Sequence, residues 1–212
     1  NIAISDKYPD LFAAQYLVAC QWNVPEMAAM KDKNLWILVS EGDTKAYPGM
    51  NSATALWESL GTPVARASLW DSHSDGREWQ HLAGDMIQQN AHINYSGFAE
   101  GNHMYTWTIA YNITPIRDWL FTQTKDGTLA LSDGKGLDGE EKSSLGSTYL
   151  AMGIGAYEGN LNAPDYNRAI QLFRASYALG NMKAGRWIGL CYANGYGVKP
   201  DDRQAALWYG RA

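Results

Sequence analysis

An internal repeat constrains this chain more than any other feature. Shifting residues 147–176 by 36 lays Gly153 on Gly189, Gly159 on Gly195, Asp165 on Asp201 and Ala169 on Ala205. The same shift brings Leu172-Phe173 onto Trp208-Tyr209, so six positions coincide at one offset. A period of this length suits a pair of antiparallel helices per copy. Small residues would sit at the close helix contact, and aromatics would fill the gap to the next copy. Such units bury their faces by stacking and present an extended surface. Residues 145–212 therefore read as an all-α helical-repeat segment.

The earlier residues carry a different pattern. Gln15 to Cys20 and residues 34–40 are compact apolar runs of strand length without alternation. Runs of that kind suit parallel strands buried on both faces. Between them, Pro25 to Lys31 is a short helical or turn segment. A loop through Pro48-Gly49 precedes a helix at 51–60, with Asn51 or Ser52 as N-cap and Gly61 at its end. Residues 63–70 read as a strand, 76–90 as a helix, 92–98 as a short apolar segment, and 107–123 as an aromatic helix broken or kinked at Pro115. Strand and helix in alternation predict an α/β layered fold. Residues 124–144, rich in Gly, Asp and Lys, read as a linker to the repeats.

Composition removes several function classes. A net charge of −5 without clustered Lys or Arg argues against nucleic-acid binding. No apolar stretch approaches the roughly 20 residues that span a bilayer. No H-E-x-x-H or paired C-x-x-C spacing marks a metal site, and no motif calls for a cofactor. Cys20 and Cys191 lie far apart in apolar surroundings, which reads as buried free thiols ahead of the alternative, a disulfide. The nine Trp and thirteen Tyr serve a packed core first, although such rings also line ligand clefts.

Two residues stand out for chemistry. Asp43 follows a buried-type strand in the loop Glu41-Gly42-Asp43, where parallel sheets collect catalytic groups. It reads either as an acid that orients a histidine or as a turn-forming Asp bonded to its own backbone. Of the four histidines, only His103 follows a Gly-Asn loop and precedes an aromatic helix start. It reads either as a base or as a structural, solvated side chain. Trp22, after the first strand, is a candidate cleft-lining residue beside the plainer reading of a packed core indole. The acid precedes the base in the chain, as in α/β-hydrolases, but no G-x-S-x-G nucleophile elbow is present.

These residues carry a resemblance over residues 1–123. The stretch Ile4 to Ala14, with Tyr8-Pro9-Asp10-Leu11-Phe12, resembles the helix after the nucleophile elbow in bacterial esterases and peptidases related to polyhydroxybutyrate depolymerases and feruloyl esterases. Leu38 to Asp43 resembles that family's acid-bearing strand end, Gly101 to Trp107 its histidine loop, and Arg117 to Phe121 its closing helix. Asp43 to His103 is longer than in many relatives, which implies an extra strand and helix at about 62–90. The tail is similar to Sel1-like repeats of the tetratricopeptide class. Tyr192 to Val198, followed by Asp201 and Ala205, carries that likeness. The first copy has Ala156 where the second has Tyr192.

The resemblances imply a partial α/β-hydrolase sheet (1–123), a linker (124–144) and Sel1-like repeats (145–212). They imply a serine hydrolase of carboxylic esters, less readily of peptides, with Asp43 as acid and His103 as base. Its serine would lie upstream of Asn1 or on a second chain, since the chain opens and closes within helical patterns as a cut piece would. A secreted or cell-envelope placement follows from the family alone. The rival expectation is an interaction module whose repeats bind a protein partner while the hydrolase half is inert.

Overall fold

The computed structural model describes residues 2–212 and divides into two compact units. The first comprises the segment through Met86 together with Ala91–Thr128; the second comprises Ile87–Asn90 and Leu129–Ala212. The chain is mixed α/β, with one small parallel sheet.

In chain order the first unit carries α1 (Ile2–Lys7), β1 (Ala14–Val18), a 3-10 turn (Val24–Met30), β2 (Asn34–Ser40), α2 (Ala46–Ser59), β3 (Val64–Arg66), α3 (Gly76–Ile87), β4 (Ile93–Phe98), α4 (His103–Ala110) and α5 (Thr114–Thr122). The strands are all parallel and lie in the order β1-β2-β4-β3. Leu17 pairs with Ile37, and Ser40 with Phe98. The two inner strands, β2 and β4, are buried almost throughout: β2 as the unbroken apolar run Leu35 to Val39 that a parallel sheet favours, β4 with the polar Asn94 and Ser96 buried among apolar neighbours. Period-two alternation sorts β2. Leu35, Ile37 and Val39 join Met50, Ala53 and Trp57 of α2 in one core cluster. Trp36 points the other way, edge-on to Trp119 of α5 at 5.6 Å, and its indole N–H donates to Ser96 Oγ at 3.0 Å. Burying each such side chain stabilises the fold by about 1.5–3 kcal/mol.

Three elements differ from the sequence expectation. Helix α2 begins at Ala46, not at residue 51. Pro48 is thereby placed in its first turn, where the missing N–H has no intrahelical partner to lose. Strand β3 stops at Arg66, and the Trp70–Phe98 bridge then rejoins the sheet. The expected aromatic helix is two helices, with His103 as the first residue of α4 rather than on a loop. Asn102 caps α4 by accepting the Tyr105 N–H at 2.9 Å, and Pro115 lies in the first turn of α5.

The second unit carries α6 (Gly139–Glu158), α7 (Tyr166–Ala178), α8 (Ala184–Asn194) and α9 (Asp202–Tyr209). Helix α6 starts within the expected linker because Asp138 and Glu141 form a reciprocal capping box. The 36-residue offset holds in three dimensions. Gly159 and Gly195 both end helices in the left-handed conformation, at φ 79° and 71°, and both lie close against a proline, Pro164 and Pro200. Asp165 and Asp201 both cap the next helix, and their N–H groups donate to the carbonyls of Ala156 and Tyr192. Gly153 and Gly189 both lie under an aromatic ring, Phe173 and Tyr209. Ala169 and Ala205 are both buried.

Candidate active site

All four strands point the same way, so every loop that follows a strand opens at one edge of the sheet. The loops after β2 and β4 are neighbours there because β2 pairs with β4. Backbone bonds join them: Glu41 N–H donates to Phe98 O at 2.9 Å, and Gly42 N–H to Gly101 O at 2.8 Å. The approach is so close that a Cβ on Gly42 would stand 2.6 Å from Gly101 O. A glycine is needed for that contact.

The joined loops bring the two sequence candidates together. His103 Nδ1 and Asp43 Oδ2 are 2.7 Å apart. Asp43 is 6 % exposed, whereas the His103 side chain is 53 % exposed. The other carboxylate oxygen, Oδ1, accepts the backbone N–H groups of Lys45 at 3.1 Å and Ala46 at 3.0 Å. Asp43 therefore satisfies the open N-terminus of α2, which its own N-cap residue, Lys45, leaves without a side-chain partner. Burial pushes the Asp43 carboxyl up, but the Ala46 amide, the His103 bond and the Lys45 amide outweigh it. The net effect holds the carboxyl below its ordinary value.

An ionised carboxylate only accepts hydrogen bonds, so the proton between the pair sits on His103 Nδ1. That tautomer leaves Nε2 with a free lone pair, the form a general base requires. Among the described residues Nε2 has no hydrogen-bond partner. The Trp107 ring stands 6.2 Å from the imidazole on the next turn of α4. Such a pair can take a proton from a hydroxyl and hold the resulting imidazolium against a carboxylate.

The other three histidines have different settings. His73 lies 3.5 Å from Asp71 and His81 3.7 Å from Asp85, both pairs in exposed positions. His92 shares a hydrogen bond with Asn34. Trp22 is 41 % exposed, on the loop after β1, and is not a core indole. Two non-glycine residues at this edge, Ala19 and Glu100, adopt left-handed conformations at φ 44° and 61°. Strain of that kind costs about 1–3 kcal/mol per residue. Ser5 is buried and accepts a hydrogen bond from Gln15. Among the described residues, no group of three or more His, Cys, Asp or Glu could hold a metal ion, and no helix is long and apolar enough to cross a membrane.

Sequence reasoning did not reach the supports of the pair. The Asn102 cap had a signal, an Asn just before an aromatic helix start. The glycine contact and the hydroxyl pair Ser40–Thr106, 2.6 Å apart and buried, join residues more than fifty positions apart and leave no local trace.

No family model matches the sequence. No curated protein matches it either. Among solved structures the chain is similar to a Sel1 repeat protein from Oxalobacter formigenes, at 16 % identity over 76 % of this chain, with a TM-score of 0.33. The chain spans 60 % of that protein's length.

Proposed function

We propose that Asp43 and His103 are the acid and base of a serine-hydrolase relay that cleaves carboxylic esters, with peptides the less favoured substrate. The observation that carries this reading is the 2.7 Å contact between a buried, amide-held carboxylate and Nδ1 of a half-exposed imidazole. His103 Nε2 takes the proton of a serine hydroxyl as it attacks the ester carbonyl, then returns it to the leaving alkoxide. Asp43 holds the tautomer and stabilises the imidazolium. Trp22 belongs to the apolar lining of the same edge. The serine and its oxyanion hole come from a segment or chain outside these 212 residues, which contain no G-x-S-x-G.

The test is a fluorophosphonate probe, which labels an activated serine. The 212-residue chain alone stays unlabelled. The chain extended by its natural upstream segment, or joined by a partner chain, is labelled, and His103→Ala abolishes the labelling. Labelling of the 212-residue chain by itself would refute the reading, as would an extended and partnered chain that stays dark.

The second unit favours a second role. Its two helix pairs repeat the same glycine, proline and aspartate contacts at one offset. That regularity supports Sel1-like stacking and a protein-binding surface. If this were the whole function, His103→Ala would leave both labelling and biological activity unchanged.

A further inference from the structure

The Asp43–His103 bond joins the end of a strand to the start of a helix, and its length depends on what holds those two ends. Asp43 is fixed from one side by the α2 amides. His103 needs a separate anchor, because its own side chain is half exposed. That anchor lies three residues away on each element. Ser40 ends β2, three residues before Asp43, and Thr106 lies three residues after His103 on α4. Their hydroxyl oxygens are 2.6 Å apart, and both residues are fully buried.

The direction of this bridge follows from counting protons. Thr106 has one hydroxyl proton and donates it to the Asn102 carbonyl at 3.2 Å. Ser40 therefore donates to Thr106. The chain of bonds runs from the last residue of β2, through Thr106, to the cap residue that immediately precedes His103. Gly101 makes room for it: a Cβ there would stand 2.7 Å from Ser40 Oγ. A buried aliphatic pair would fill the same space without fixing a direction, whereas a satisfied hydroxyl chain specifies one arrangement.

We infer that Ser40 and Thr106 are positioning residues for the acid–base pair, pinning the first turn of α4 to β2 so that His103 stays in register with Asp43. This deepens, and rests on, the relay reading above.

The experiment is proton NMR of the 212-residue chain. A charge-assisted N–H···O bond gives a low-field resonance, assigned to His103 Nδ1–H by its loss in Asp43→Asn. Thr106→Val keeps the shape and removes the hydroxyl, leaving Ser40 unpaired. It is expected to speed solvent exchange of the His103 proton about tenfold. The amides of Leu38 and Val39 in β2 keep their wild-type exchange, and Thr106→Ser restores the slow His103 proton. An unchanged His103 proton in Thr106→Val overturns the inference. So does equal acceleration of the β2 amides, or failure of Thr106→Ser to rescue. If Thr106→Val does not fold, Ser40→Ala is read in the same way against the same outcomes. No nucleophile enters this measurement. An extended chain that resists the fluorophosphonate would sink the hydrolase reading alone, and an unmoved proton would sink the bridge alone.

Discussion

Gly42 and Gly101 touch backbone to backbone: the Gly42 N–H donates to Gly101 O at 2.8 Å, and there is no room for a side chain between them. This contact sets the distance between the strand end bearing Asp43 and the helix start bearing His103. Gly42→Ala forces a Cβ to within 2.6 Å of a backbone oxygen, which cannot swing aside. The expected loss of stability is about 1–3 kcal/mol, with the low-field His103 proton weakened or lost. Urea unfolding and NMR read the two effects. A stable variant with an intact proton signal would show that the loops have slack.

Asp43 links stability to acidity. Its folded carboxyl lies below the ordinary value, and the unfolded one titrates near about 3.9. The folded state therefore takes up that proton less readily. The stabilisation is present in full above about pH 5 and fades as pH falls through the lowered folded value. At pH 7, Asp43→Asn should be less stable than the native chain by roughly 1–2 kcal/mol. The gap should close as pH is lowered through the acid range. Urea midpoints from pH 7 downward test this, and a gap independent of pH would contradict it.

The two repeats should answer the same substitution differently. A Cβ at Gly153 would stand 2.6 Å from the Phe173 ring, and one at Gly189 would stand 2.7 Å from the Tyr209 ring. Phe173 is fully buried and stacked on Trp187, whereas Tyr209 is 43 % exposed and free to turn outward. Gly153→Ala is expected to destabilise by about 1–3 kcal/mol, and Gly189→Ala by well under half as much. Amide exchange in α6 and α8 compares them. Equal losses would mean that Tyr209 is held as firmly as Phe173.

Both thiols should be sluggish. Cys20 and Cys191 are free, and burial pushes their thiols up to about 12 and about 11. At pH 8 the Cys20 thiolate is therefore scarce, which slows alkylation relative to an ordinary thiol. Iodoacetamide should modify both quickly in urea and neither in the native chain. Rapid native labelling of Cys20 would show that the loop after β1 opens.

Much of this was legible in the sequence, for identifiable reasons. The repeat was visible because each coincident residue does one job twice: Gly159 and Gly195 end helices, and Asp165 and Asp201 begin them. Strands β1 and β2 were visible as compact apolar runs, whereas β4, which carries Asn94 and Ser96, showed only as a short apolar and aromatic segment. Asp43 stood out from the loop after β2, and His103 from the Gly-Asn pair that precedes an aromatic helix start. Their supports did not, since Ser40, Gly42, Gly101 and Thr106 acquire meaning only once β2 and β4 are adjacent. The early start of α2 was masked by Pro48-Gly49, a turn signal that a first helical turn also tolerates. Nothing local announced that β4 would sit inside β3.

That strand order has an evolutionary corollary. Because β4 slots in beside β2 and leaves β3 on the rim, the sixty positions between carboxylate and imidazole collapse to a single step across the sheet, about 4.8 Å. The solvent-facing loop at 71–75 within that excursion can drift in length or sequence while α2 and β4 hold the step constant. Relatives of this chain should differ most there and least in the two short connections that the step unites.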